Sequence, residues 1–236
     1  MTGTLYLIPT PLSDCNLDWI IPIAVKRSIQ QLRFFIVEQP KTARRFLKQI
    51  ECNYPLQDIH MGILNEHTRT NELETLMQPL LAGHDMGLLS EAGCPAIADP
   101  GSNLVRLAHH KQIKIIPLTG PSSILLALMA SGLNGQRFCF HGYLPIDRNA
   151  RTQTITALEK QSGKQDQTQI FIETPYRNQN LFELLVKTCR DDTDLCLAMQ
   201  LTSVEERVTT RSIKQWKSKQ PDFQKIPTIF LLHANR

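Results

Sequence analysis

The sequence predicts two α/β domains, residues 1–119 around a mainly parallel sheet and residues 120–236 around a mixed one. Three observations predict this. Short β-type apolar runs alternate with segments whose apolar residues recur at helical spacing. A loop of small residues, Ser90-Glu91-Ala92-Gly93-Cys94-Pro95-Ala96-Ile97-Ala98-Asp99-Pro100-Gly101, joins the apolar run Met86–Leu89 to the amphipathic stretch Leu104–Ala108. After Gly132 the pattern becomes richer in strand signals and more antiparallel in character.

The elements follow in order. Thr4 to Ile8 is a β-type run stopped by Pro9-Thr10-Pro11. The lack of a basic region and cleavage site makes this start a first strand rather than a signal peptide. Pro22 to Leu32 and Pro40 to Ile50 are helices opened by proline, which suits a first turn because its missing N–H has no partner there. Phe34 to Val37 is a strand between them. In Asn65 to Ala82, Leu73, Leu76, Met77, Leu80 and Leu81 recur at helical spacing, which predicts one helix ended by Gly83. Met86 to Leu89 and Ile113 to Pro117 are strands flanking the loop and its helix. Thr119-Gly120-Pro121-Ser122-Ser123 is a second small-residue loop, with Ser122 or Ser123 as N-cap of the helix Ile124 to Ser131. Further on, Phe138–Phe140, Gln169–Glu173, Asp194–Gln200, Glu205–Ile213 and Thr228–Leu232 read as strands. Thr152–Gln161, Asn180–Thr188 and Ile213–Lys219 read as helices, and His141–Asn149 as a connection.

Composition narrows the function classes. With 42% hydrophobic residues the chain sustains a packed core, and no apolar run reaches the length a membrane helix needs. Six cysteines without a CxxC pair, mostly in or beside apolar runs, predict reduced, buried thiols and a cytoplasmic protein. Seven histidines without HxH or HExxH spacing predict no metal site. Neither GxxxxGK[ST] nor GxGxxG occurs, so the usual phosphate and dinucleotide loops are absent. A net charge of +4 permits a nucleic-acid partner without demanding one. The basic residues cluster at Lys41, Arg44, Arg45 and Lys48, at Arg148 and Arg151, and at Lys214, Lys217 and Lys219. The loop Ser90–Gly101 reads either as an ordinary strand-to-helix connection or as a place where a ligand approaches the main chain closely.

Six segments occur in an order that carries a resemblance. They are Gly3–Pro11, Ser90–Gly101, Ile116–Ser123 with Ala130–Leu133, Arg137–Pro145, and Ile172-Glu173-Thr174-Pro175-Tyr176-Arg177. With these, the chain resembles the class III S-adenosylmethionine-dependent methyltransferases, the tetrapyrrole methylase superfamily, and within it the branch that methylates a cytidine 2′-hydroxyl of 16S ribosomal RNA. Where that branch carries Glu-Asp-Thr-Arg, this chain has Glu38-Gln39-Pro40-Lys41, and Glu91 and Cys94 replace an aspartate and a threonine of the ligand loop.

The resemblance implies a cofactor cleft between the two domains. S-adenosylmethionine would there contact Pro9, Gly93, Cys94, Pro95, Ala96, Ile97, Ser122 and Ser123, and in the second domain Thr174, Ala198 or Met199, Pro227 and Thr228. Strand packing is the competing reading for Ala198 and Met199. Glu38, Glu91 and Tyr176 are the candidates for catalysis, with Arg177 a further polar candidate, against surface or capping roles. Lys41, Arg44 and Arg45 would hold phosphates of an RNA acceptor, or form a solvated helix face. A tetrapyrrole or other small acceptor, and a non-catalytic cofactor-binding module, are the alternatives. The resemblance also implies a homodimer.

Overall fold

The computed structural model describes residues 2–65, 67–223 and 225–235. The chain divides into two compact units, Met1–Ser122 and Ser123–Arg236.

The first unit runs β1 (Thr4–Ile8), α1 (Leu17–Ile20), α2 (Ile23–Gln30), β2 (Phe34–Val37), α3 (Pro40–Ile50), β3 (His60–Ile63), α4 (Thr70–Leu76), α5 (Gln78–Leu81), β4 (Met86–Leu89), α6 (Ser102–His110) and β5 (Lys114–Pro117). Its five strands lie in the order β3-β2-β4-β1-β5, and every pairing is parallel. Parallel strands need crossovers, and the helices that supply them cover both faces. Alternation along each strand sorts the core accordingly. Phe35, Val37 and Ile8 pack with Val25, Ile29, Phe46 and Leu47 from α2 and α3. Ile36, Leu5 and Leu88 pack on the other face with Leu73, Leu80 and Leu104.

The second unit runs α7 (Ser123–Ser131), β6 (Phe138–Tyr143), α8 (Arg148–Gln165), β7 (Thr168–Ile172), α9 (Asn178–Thr188), β8 (Asp194–Met199), β9 (Arg207–Ser212), α10 (Ile213–Ser218) and β10 (Thr228–His233). Its sheet, ordered β6-β7-β10-β8-β9, is mixed: β6 and β7 are parallel, and the other pairings antiparallel. Its core centres on Phe171, Phe182, Phe230 and Trp216, with the Trp216 indole N–H donating to the Leu195 carbonyl at 2.8 Å.

Several elements differ from the sequence expectation. The helix expected over 65–82 is two helices that meet at Met77, because Pro79 sits in the first turn of α5 and cannot continue the hydrogen-bond ladder. Glu66, in that expected span, lies outside the described residues. The edge strand β3 was not expected; its run His60-Met61-Gly62-Ile63 is short, half polar and interrupted by glycine. Pro22 is the N-cap of α2 rather than its first residue. α8 begins at Arg148, four residues early, because the Asp147 carboxylate accepts from the Ala150 amide and caps it. Only Cys189 and Cys196 are buried; the other four cysteines are half-buried. Among the described residues no helix is long and apolar enough to cross a membrane.

Candidate active site

β4, β1 and β5 are neighbours, so the loops following them emerge side by side at the carboxyl edge of the first sheet, where open α/β sheets bind ligands. Hydrogen bonds tie the three loops together. Thr10 and Gly93 exchange main-chain bonds of 2.9 and 3.0 Å. The Thr10 hydroxyl donates to the Ser90 carbonyl at 3.1 Å, and the Ser90 hydroxyl to the Gly93 carbonyl at 2.9 Å. The Cys94 thiol donates to the Pro121 carbonyl at 3.5 Å.

Two glycines are required here. Gly93 has φ +80°, a backbone region that side chains disfavour. A Cβ on Gly120 would sit 2.5 Å from the Pro9 Cβ, so this approach of two loops admits no side chain. Ala96 and Ala98 also take positive φ, 65° and 60°, at a cost of about 1–2 kcal/mol each. Such strain persists where the surroundings impose it, and it clusters at ligand sites. The amides of Ala92, Ala96 and Ala98 meet no acceptor among the described residues. A strained loop with unspent donors and methyl-sized side chains fits the carboxylate end of an amino-acid-like ligand.

Carboxylates gather beside this loop. Burial pushes the Asp99 carboxyl up to about 6, and the charges of Glu38 and Glu91 push in the same direction. Asp99 belongs to the loop motif, but nothing in the sequence singles it out as titratable near neutrality; burial and its two neighbours do that. Between its ordinary 3.8 and about 6, the folded chain keeps a proton that the unfolded chain has released. Asp99 therefore favours folding below that window, and the contribution declines as pH rises through it. Asp99→Asn is expected to raise the melting temperature at pH 7.5, with the gain vanishing toward pH 4. An equal change at both pH values would contradict this.

Glu91 accepts from the Thr42 hydroxyl at 2.7 Å, which links the loop to α3. Along α3, Ala43, Phe46, Leu47 and Ile50 are buried, while Lys41, Arg44, Arg45 and Lys48 share the opposite, exposed face at i, i+3, i+4 and i+7. Arg45 also lines a hollow of about 230 Å³ with Thr10, Thr42, Ser90 and Glu91. The structure thus brings Glu91 and Arg45 to one concavity of the first unit. Ser122 and Ser123 are half-buried after β5, and Pro9 is buried after β1. Ile97 is exposed on the loop.

In the second unit, Thr174 follows β7, Met199 ends β8 and Thr228 opens β10. Thr228 pairs with Met199, and Ile229 with both Ala198 and Ile172, so these positions gather at one end of the sheet. The Pro227 carbonyl accepts from the Gln200 amide at 3.1 Å. The Met199 side chain belongs to the core, and Ala198 lies buried within the sheet, so both side chains are engaged in packing. Tyr176 is exposed, with the Lys225 ammonium 5.1 Å from its ring centroid. Arg177 does not stand free as a polar candidate, because its guanidinium pairs with Glu173 at 2.7 Å. Among the described residues no three His, Cys, Asp or Glu side chains are placed to hold a metal.

The family model for tetrapyrrole (corrin/porphyrin) methylases matches residues 4–216. A ribosomal RNA small subunit methyltransferase I from Haemophilus influenzae is 29% identical over 99% of this chain and 80% of its own length. A protein of the same name from Escherichia coli O157:H7 is 32% identical over 87% of this chain and 68% of its own. The crystal structure of the methyltransferase CobJ superposes with a TM-score of 0.65 at 13% identity, over 99% of this chain and 95% of that one. At that identity the likeness concerns the fold alone.

Proposed function

The chain belongs to the tetrapyrrole (corrin/porphyrin) methylase family, and from that premise we propose that it methylates RNA, at a ribose 2′-hydroxyl of the small ribosomal subunit. It is an S-adenosylmethionine-dependent methyltransferase. The RNA reading is supported by the relatives named for small-subunit ribosomal RNA. The observation that carries it is the hollow in which Arg45, from the cationic face of α3, meets Glu91 of the ligand loop. A tetrapyrrole acceptor or a non-catalytic module is not favoured.

When bound, S-adenosylmethionine supplies a methyl group on a positively charged sulfur, already activated for displacement. The chain then has to hold and align. The loop Gly93–Ile97, with Pro9, Ser122 and Ser123, is assigned to the cofactor's polar end through main-chain groups. Thr174, Ala198 or Met199, Pro227 and Thr228 are assigned as further contacts through main-chain atoms and small side chains. Alignment of acceptor and methyl is the larger part of catalysis in a displacement at carbon. A hydroxyl acceptor gains from a general base as well, and Glu38 and Glu91 are the candidates. Asp99 joins them, because a carboxyl near 6 is matched to proton transfer close to neutral pH. Lys41, Arg44 and Arg45 are assigned to RNA phosphates, and Tyr176 to the acceptor side. A homodimer and a cytoplasmic location complete the proposal. Light scattering over a dilution series should return twice the mass of one chain, and a single-chain mass would contradict the dimer.

The test is transfer of a labelled methyl group to small ribosomal subunits that lack the modification, alongside free tetrapyrrole. Labelling of the RNA alone is expected, and labelling of the tetrapyrrole alone would overturn the reading. Arg44→Ala with Arg45→Ala should weaken RNA binding about tenfold at low salt and flatten its salt dependence, while S-adenosylmethionine affinity stays the same. An unchanged double variant would return α3 to a solvated face.

A further inference from the structure

The second unit carries a concavity that the methyl-transfer assignment does not use. It is about 500 Å³, within the range of ligand pockets. Two helices line it. Arg148 and Arg151 lie one turn apart on α8, while Glu183, Leu184 and Lys187 lie along one face of α9, with Arg177 at that helix's start.

The cations are of two kinds. Arg151 is buried; it donates from Nε to the Pro145 carbonyl at 2.6 Å and pairs with Glu173 at 3.3 Å. Arg177 pairs with the other oxygen of the same glutamate at 2.7 Å. Glu173, its side chain 1% exposed, therefore fixes two guanidinium groups in the wall. Arg148 and Lys187 are exposed and have no ion-pair partner among the described residues. Four cations against Glu173 and Glu183 leave an excess of positive charge.

The spacing distinguishes ligands. Arg177, the N-cap of α9, lies ten positions before Lys187, about 15 Å of rise along that helix. Because Glu173 holds the Arg177 guanidinium in place, one phosphate does not bridge it and Lys187, whereas successive phosphates of a strand reach both ends. Leu184 and the exposed Ile146 add apolar surface for a sugar or base face. We propose that this groove binds the phosphodiester backbone of the RNA acceptor, as a second anchoring surface separate from α3. The inference rests on the RNA reading given above.

The test is fluorescence anisotropy with a labelled single-stranded RNA of about 20 nucleotides, from about 50 to 200 mM salt. Arg148→Ala with Lys187→Ala removes the two unpaired cations and leaves the Glu173 network intact. The expected result is about tenfold weaker RNA binding at low salt and a log–log salt slope shallower by about 1.4, or 0.7 for each lost contact to a single strand. Calorimetry should show unchanged S-adenosylmethionine affinity. Parent and variant that bind RNA with the same affinity and slope would overturn the groove and leave the RNA reading standing. A parent that binds no RNA would overturn both. A parent that binds tripolyphosphate in this groove but no RNA would make it a small-anion pocket, against the proposal.

Discussion

Gly93→Val should abolish measurable S-adenosylmethionine binding while the far-ultraviolet spectrum stays that of a folded α/β protein. Gly93 is buried with φ +80°, and valine is strongly disfavoured there. Its Cβ would lie 3.2 Å from Leu12 Cδ2 before either methyl is counted. The loop would relieve both conflicts by shifting, and the paired bonds to Thr10 and the bond from Ser90 hold it in register. Losing two main-chain hydrogen bonds to a charged ligand group, at about 1.5–3 kcal/mol each, is worth about a hundredfold in affinity or more. The backbone strain itself costs about 1–2 kcal/mol of stability, which a domain of this size survives. Calorimetry on the variant checks the outcome, and normal binding would mean that the cofactor does not use this loop.

The second large effect is on stability. Glu173→Ala is expected to destabilise the second unit by about 3–5 kcal/mol, because it leaves Arg151 buried without its countercharge. For a chain of this length that lowers the melting temperature by roughly 6–20 °C. Arg177 loses its partner too, but it is half-exposed and water can replace the carboxylate. Glu173→Gln, which keeps the shape and an acceptor oxygen, should cost less. Thermal melts of the two variants decide the matter. Equal melting temperatures for Glu173→Ala and the parent would mean that the Glu173 pairs contribute nothing net.

Much of this architecture was legible in the sequence because it is locally encoded. The runs Thr4–Ile8, Phe34–Val37 and Met86–Leu89 are apolar apart from Thr4 and Gly87, as suits parallel strands covered on both faces. The loop Ser90–Gly101 declares itself through glycine, alanine and proline at positions that need special backbone angles. Both sheets follow the expected division, parallel in the first unit and mixed in the second. β3 is hidden because its run is four residues long, half polar and interrupted by glycine, with Met61 its contact to the core, and the break at Met77 because helical spacing continues across it.

The candidate site was legible in part. The helical face of Lys41, Arg44, Arg45 and Lys48 follows from spacing alone. The meeting of Glu38, Glu91 and Asp99 does not, since it depends on which loops the sheet order makes neighbours. The same holds for Glu173, which reads as the last residue of a strand in sequence and acts as the buried centre of two ion pairs in three dimensions.

We propose that main-chain groups of the loop after β4 hold the methyl donor. An amide-resolved nuclear magnetic resonance titration with S-adenosylhomocysteine on isotope-labelled protein tests it most directly. Large, saturable shifts are expected at Gly93, Cys94, Ala96 and Ala98, with smaller ones at Gly120 and Ser122. Saturable binding that leaves those amides unmoved, or no binding at all, would contradict it.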